Sequence, residues 1–140
     1  MTQSRPPIHR RGIRQAAIGL LAALVTGAAL ATTPADLLAG YTAEAGAPAQ
    51  AARGQAFFNA RHGKDWSCAS CHGAVPSQAG KHASTGKTIT ALAPAFNPER
   101  FSDPAKVEKW FRRNCNDVAG RACTPGEKAD VLAWLISLRP

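Results

Sequence analysis

Cys68-Ala69-Ser70-Cys71-His72 decides the reading of this chain. Two thiols at i and i+3, followed at once by a histidine, form the C-x-x-C-H pattern of c-type haem attachment. The thiols can add to two vinyl groups on one edge of a porphyrin, and the adjacent imidazole can then ligate the iron from one side. Cys68 and Cys71 are therefore the expected thioether residues, and His72 the expected proximal ligand. Two rival readings fail on context. A structural zinc site needs four Cys or His ligands, commonly as two paired knuckles, and Cys115 and Cys123 are too far apart to form the second. A thioredoxin-like dithiol follows a strand in a βαβ unit, and no strand pattern precedes Cys68.

Toward the N-terminus the chain carries Arg5, Arg10, Arg11 and Arg14, with no acidic residue before Asp36. The run from Ala16 to Ala31 is apolar but short, is broken by Gly19 and Gly27, and ends on the A-x-A-like Ala29-Leu30-Ala31. This predicts a cleaved secretory signal peptide over residues 1–31 rather than a permanent anchor. Residues 32–140 then form one small domain, expected in the periplasm, where disulfides persist. With Cys68 and Cys71 committed to haem, Cys115 and Cys123 are left free to pair.

The chain has 17 Lys and Arg against nine Asp and Glu. Four of the basic residues lie in the expected leader, so the remainder carries +4. No basic stripe interleaved with aromatics runs along it, which excludes a nucleic-acid binder. A mildly basic face suits an acidic redox partner.

Apolar and polar residues do not alternate convincingly, so the fold is expected to be all-α. Thr33 to Leu38 reads as a short first helix, and Ala47 to Arg61 as a second, with Gly54 at a close packing point and Gly63 as its C-cap. Gly73 to Asn97 is rich in Gly, Pro, Ser and Thr and reads as a loop that covers one edge of the cofactor. Asp103-Pro104 opens the next helix, which bears Val107, Trp110 and Phe111 and stops at Gly120. Thr124-Pro125-Gly126-Glu127 is a capping box with proline at the first helical position. It opens a last helix with the apolar stripe Val131, Trp134, Leu135 and Leu138. This order of helices and haem motif resembles the small class I c-type cytochromes.

Ordinary electron-transfer cytochromes c close the other face of the iron with a methionine sulfur. The only methionine here is Met1, inside the expected leader, so a His/Met site is excluded. From the residues alone the far face stays open among His82, a lysine, Tyr41 and no protein ligand at all. His62 is too near the motif to cross over.

The segment Lys106-Val107-Glu108-Lys109-Trp110-Phe111-Arg112-Arg113-Asn114-Cys115, with Cys123 beyond it, resembles the Sphaeroides haem protein family of oxygen-binding cytochromes c. The likeness extends over the haem motif, Ala91-Leu92-Ala93-Pro94, Asn97-Pro98, Asp103-Pro104 and Trp110 through Cys123. It implies a class I cytochrome c-like fold around one covalent haem c, with Asn114 as distal ligand and a Cys115–Cys123 disulfide beside it. Asn116 lacks the position immediately before Cys115. An amide oxygen is a hard, neutral, weak ligand, expected to hold oxidised iron and to leave on reduction. That would open a position for oxygen, nitric oxide or carbon monoxide. Metal-bound histidines usually donate their other N–H to a carbonyl, and Pro94 is the expected acceptor. Arg112 and Arg113 are expected either beside the distal site or in solvent. The resemblance further implies a monomer in a periplasmic electron-transfer chain with a dihaem cytochrome c and a membrane cytochrome b. An enzyme that consumes oxygen or nitric oxide and a plain carrier ligated by His82 are the alternatives.

Overall fold

A computed structural model describes residues 1–2 and 32–140. In chain order they form α1 (Pro34–Ala45), α2 (Ala51–Asn59), the single turn α3 (Ala69–His72), two-residue strands β1 (Gly80–Lys81) and β2 (Thr88–Ile89), α4 (Pro104–Ala119) and α5 (Pro125–Ser137). The expected signal peptide and its cleavage point lie outside the described residues, apart from the first two. No helix among the described residues is long and apolar enough to cross a membrane.

Local signals set most helix ends. Thr124 Oγ1 accepts the Glu127 N–H at 3.2 Å, and the Glu127 carboxylate accepts the Thr124 N–H at 2.8 Å, so α5 starts on the capping box written in its sequence. Asp103 caps α4 by accepting the Lys106 N–H at 3.0 Å. Gly120 ends that helix at φ 70°, a conformation glycine adopts without a Cβ penalty. A second capping box, Thr33 with Asp36, starts α1, and that helix runs to Ala45 rather than stopping at Leu38.

Helix α2 is shorter than its periodicity predicts. It begins at Ala51 because the Gln50 N–H is drawn to Asp130 Oδ1 at 2.7 Å. It ends at Ala60, and Gly63 is a left-handed turn residue beyond it rather than its cap. The expected loop also contains a small antiparallel ribbon, with Gly80 opposite Ile89 and Lys81 opposite Thr88.

The core gathers on α5, which packs against both α1 and α2. Leu132, Leu135 and Phe58 are fully buried, and each contributes about 1.5–3 kcal/mol by leaving water. Phe58 meets Trp134 with ring centroids 5.0 Å apart. Gly54 permits the α2–α5 contact: a Cβ there would lie 1.9 Å from the Asp130 carbonyl oxygen. Helix α4 joins this core through Val107 and Phe111. It is tied back by Tyr41, whose hydroxyl donates to Glu108 at 2.5 Å, by Lys128 on the same carboxylate at 2.7 Å, and by the Cys115–Cys123 disulfide.

Asp130 also pairs with Arg53, whose Nη2 donates to Oδ1 at 2.8 Å. Burial raises the Asp130 carboxyl, but Arg53 and the Gln50 N–H outweigh it, and the net displacement is below the ordinary value. A carboxyl depressed on folding stabilises the protein above its unfolded value, about 3.9. That contribution is lost as pH falls through the lower folded value. The thermal midpoint should therefore be flat near neutrality and fall below about pH 4, and Asp130→Asn should flatten the fall while lowering the neutral midpoint. Circular dichroism melts from acid to neutral pH check this; an unaltered acid limb in the variant would contradict it.

Candidate haem site

The gap between α4 and the rest of the protein is a cavity of about 670 Å³. That lies within the usual range for cofactor pockets, roughly 300–1,000 Å³. Cys68, Cys71 and His72 line it from the α3 side, and Asn114 and Cys115 from α4. Phe57, Phe58, Phe101 and Phe111 supply aromatic wall, and Val131 and Leu135 of α5 close the back.

One turn of helix sets the spacing of the motif. Ser67 N–H donates to Ser70 Oγ at 3.0 Å, and the Cys71 and His72 N–H groups both donate to the Cys68 carbonyl at 3.2 and 3.1 Å. The ribbon is clamped to this turn. The Ala83 N–H meets Cys71 Sγ at 3.3 Å, and a Cβ at Gly80 would lie 2.0 Å from the Cys71 carbonyl oxygen.

The electrostatics suit a haem and do not suit a redox dithiol. Burial pushes the Cys68 thiol up to about 11, whereas an attacking thiol needs a depressed value. Cys68 and Cys71 are not joined in a disulfide. Burial, and then the charge of Arg100, push the His72 imidazole down to about 4. It is neutral at pH 7, the form that ligates a metal.

Arg100 also lines the cavity and went unnoticed in the sequence. Its guanidinium donates to the Ala91 and Thr90 carbonyls at 3.0 and 2.9 Å and to Thr90 Oγ1 at 2.9 Å. Partly desolvated, it is placed to meet a carboxylate such as a haem propionate. It is the only basic residue between Lys87 and Lys106, which was the available signal. Phe101 follows it at φ 61°, a conformation that costs a bulky residue about 1–3 kcal/mol. Its buried ring lines the cavity.

The other expected residues separate clearly. Asn114 lines the cavity, and Asn116 is exposed outside it. The Cys115–Cys123 bond, with a Cα–Cα distance of 5.6 Å, closes the chain directly after Asn114. Arg112 and Arg113 are exposed and do not line the cavity; Arg113 lies over the Trp110 ring at 5.6 Å. Tyr41 is buried in its bond to Glu108, away from the cavity. His62 stacks on Phe57, with Nε2 2.9 Å from the Phe57 carbonyl oxygen. His82 does line the cavity, but its Nδ1 is engaged with Ser84 Oγ at 3.2 Å. The Pro94 carbonyl accepts the Asn97 N–H at 3.3 Å rather than serving His72.

Residues 44–135 match a family described as a domain of unknown function, DUF1924. The chain is 57% identical over 122 residues to the cytochrome c-type protein SHP of Cereibacter sphaeroides, spanning 83% of this chain and 94% of that one. This chain belongs to the Sphaeroides haem protein family. It therefore has a c-type haem as cofactor and an all-α cytochrome fold.

The structure of oxidised SHP, an oxygen-binding cytochrome c, superposes with a TM-score of 0.73 at 56% identity, covering 78% of this chain and 100% of that one. Oxidised cytochrome c'' from Methylophilus methylotrophus gives a TM-score of 0.69 at 38% identity, covering 76% of this chain and 95% of that one. Cys68, Cys71 and His72, which line the cavity together, carry the C-x-x-C-H pattern of c-type haem attachment.

Proposed function

We propose that this chain is a periplasmic monohaem cytochrome whose distal residue, Asn114, opens the site on reduction so that it binds a small diatomic ligand. The observation that carries this reading is the placement of Asn114 in the cavity wall on α4, while Cys68, Cys71 and His72 line it from α3. Bound here, haem c would supply an iron that exchanges one electron and takes a small ligand. Cys68 and Cys71 would hold the macrocycle through thioethers, and His72 would ligate the iron through a neutral imidazole. Asn114 offers its amide oxygen on the opposing wall, and the Cys115–Cys123 disulfide braces the helix end that carries it. That oxygen is a weaker partner for ferrous than for ferric iron by hard–soft preference, so Asn114 withdraws when the protein is reduced. Binding of oxygen in the related SHP, as its description states, supports the same capacity here.

The domain runs over residues 32–140 after removal of residues 1–31, acts as a monomer and receives its electron from a partner protein such as a dihaem cytochrome c or a membrane cytochrome b. Ligand binding and electron transfer, rather than onward chemistry, are in line with the description of SHP as an oxygen-binding cytochrome c. Oxygen and nitric oxide consumption under steady reductant checks this. Rates no higher than autoxidation are expected; sustained turnover would make the protein an enzyme.

A further inference from the structure

The outward face of α4 is distinctive. Lys109 and Trp110 lie three and four residues after Lys106, and four and three before Arg113, so the four share one side of the helix. All four are exposed, Trp110 by 42%. The Arg113 guanidinium stacks over the Trp110 ring at 5.6 Å. Lys106 and Trp110 also line the cavity, so this face forms part of its mouth. Within α4 the acids are Glu108, which is engaged by Tyr41 and Lys128, and Asp117. Glu99, Asp103 and Asp117 line the cavity, and Asp103 also caps the helix.

We infer that this face is the docking surface for a redox partner protein bearing an acidic patch, and that electrons reach the haem beside Trp110. The inference rests on the haem reading of the cavity. Exposed Trp and Arg side chains are the types that dominate binding energy at interface centres. Surrounding lysines raise encounter rates with an anionic partner without adding much buried area. Small, transient, charge-steered contacts are the usual form of electron-transfer encounters. A nucleic acid fits less well, because the cations occupy one helix flank rather than a groove that tracks a backbone.

The test uses the reduced haem protein in stopped flow, oxidised by anionic hexacyanoferrate(III) or by cationic tris(phenanthroline)cobalt(III). The double variant K106E/R113E should slow the anionic oxidant about tenfold at low salt, speed the cationic one, and lose both effects at high salt. The ribbon variant K81E/K87E changes net charge equally, but neither lysine lines the cavity; it should have a much smaller effect. An acidic flavodoxin in its hydroquinone form, as a protein probe, should pass one electron to the oxidised haem protein about tenfold more slowly with Trp110→Ala, while oxidation of the reduced protein by hexacyanoferrate(III) is unchanged. Equal effects of the two charge variants would overturn the proposal, as would an indifferent flavodoxin. Unchanged haem spectra in each variant show that the fold is kept. Absence of haem absorbance in the wild type would sink the haem reading instead.

Discussion

Gly54→Ala lowers the thermal midpoint of the haem-loaded protein by about 15 °C or prevents its accumulation, a cost of about 3 kcal/mol for a domain of this size. The added Cβ would meet the Asp130 carbonyl oxygen at 1.9 Å and its carbon at 2.2 Å. Both are backbone atoms of α5, so no side chain can swing aside. Relief requires α2 to move away from α5. That motion would also strain the Gln50 N–H and Arg53 contacts to Asp130 and shift Phe58, which packs 6.1 Å from the His72 ring. The variant should therefore disturb the haem environment as well as the melt. A midpoint within about 3 °C of wild type, far less than overpacking of this kind costs, would show that the helices separate freely.

Asn114→Ala has the second large effect, and it falls on one oxidation state. On the proposed ligation, Asn114 of the oxidised wild type competes with any added anion for the distal position. A ligand worth about 1.4 kcal/mol reduces the binding-competent fraction about tenfold. Its removal should tighten azide binding to the oxidised protein about tenfold and raise the reduction potential by about 60 mV, the one-electron equivalent. The reduced protein should hardly notice, because in the proposed cycle the amide leaves on reduction. Equilibrium azide titration and potentiometry read both numbers. A variant with unchanged ferric azide affinity and potential would remove Asn114 from the iron, and His82→Ala would then be the change that matters.

The features legible in the chain are those encoded among neighbours. The capping box Thr124-Pro125-Gly126-Glu127, the Asp103-Pro104 start and the Gly120 stop each depend on residues within a few positions, and α4 and α5 match them closely. The start of α2 was not legible, because its determinant, Asp130, is eighty residues away. Two-residue strands are too short to show any period, so the ribbon was hidden until its backbone bonds placed it. At the site, the C-x-x-C-H motif carries its own chemistry. Asn114 needed the family resemblance, since an asparagine near a helix end is ordinary on its own. Arg100 was missed because its role comes from the fold, which brings it within electrostatic reach of His72.

The account turns on whether the distal side opens on reduction. Carbon monoxide added to the reduced wild-type protein, followed by visible absorption, tests this directly. We predict a five-coordinate, high-spin ferrous spectrum that shifts on addition of carbon monoxide, both in the wild type and in Asn114→Ala. A six-coordinate, low-spin ferrous spectrum indifferent to carbon monoxide would contradict the account and leave a closed electron carrier.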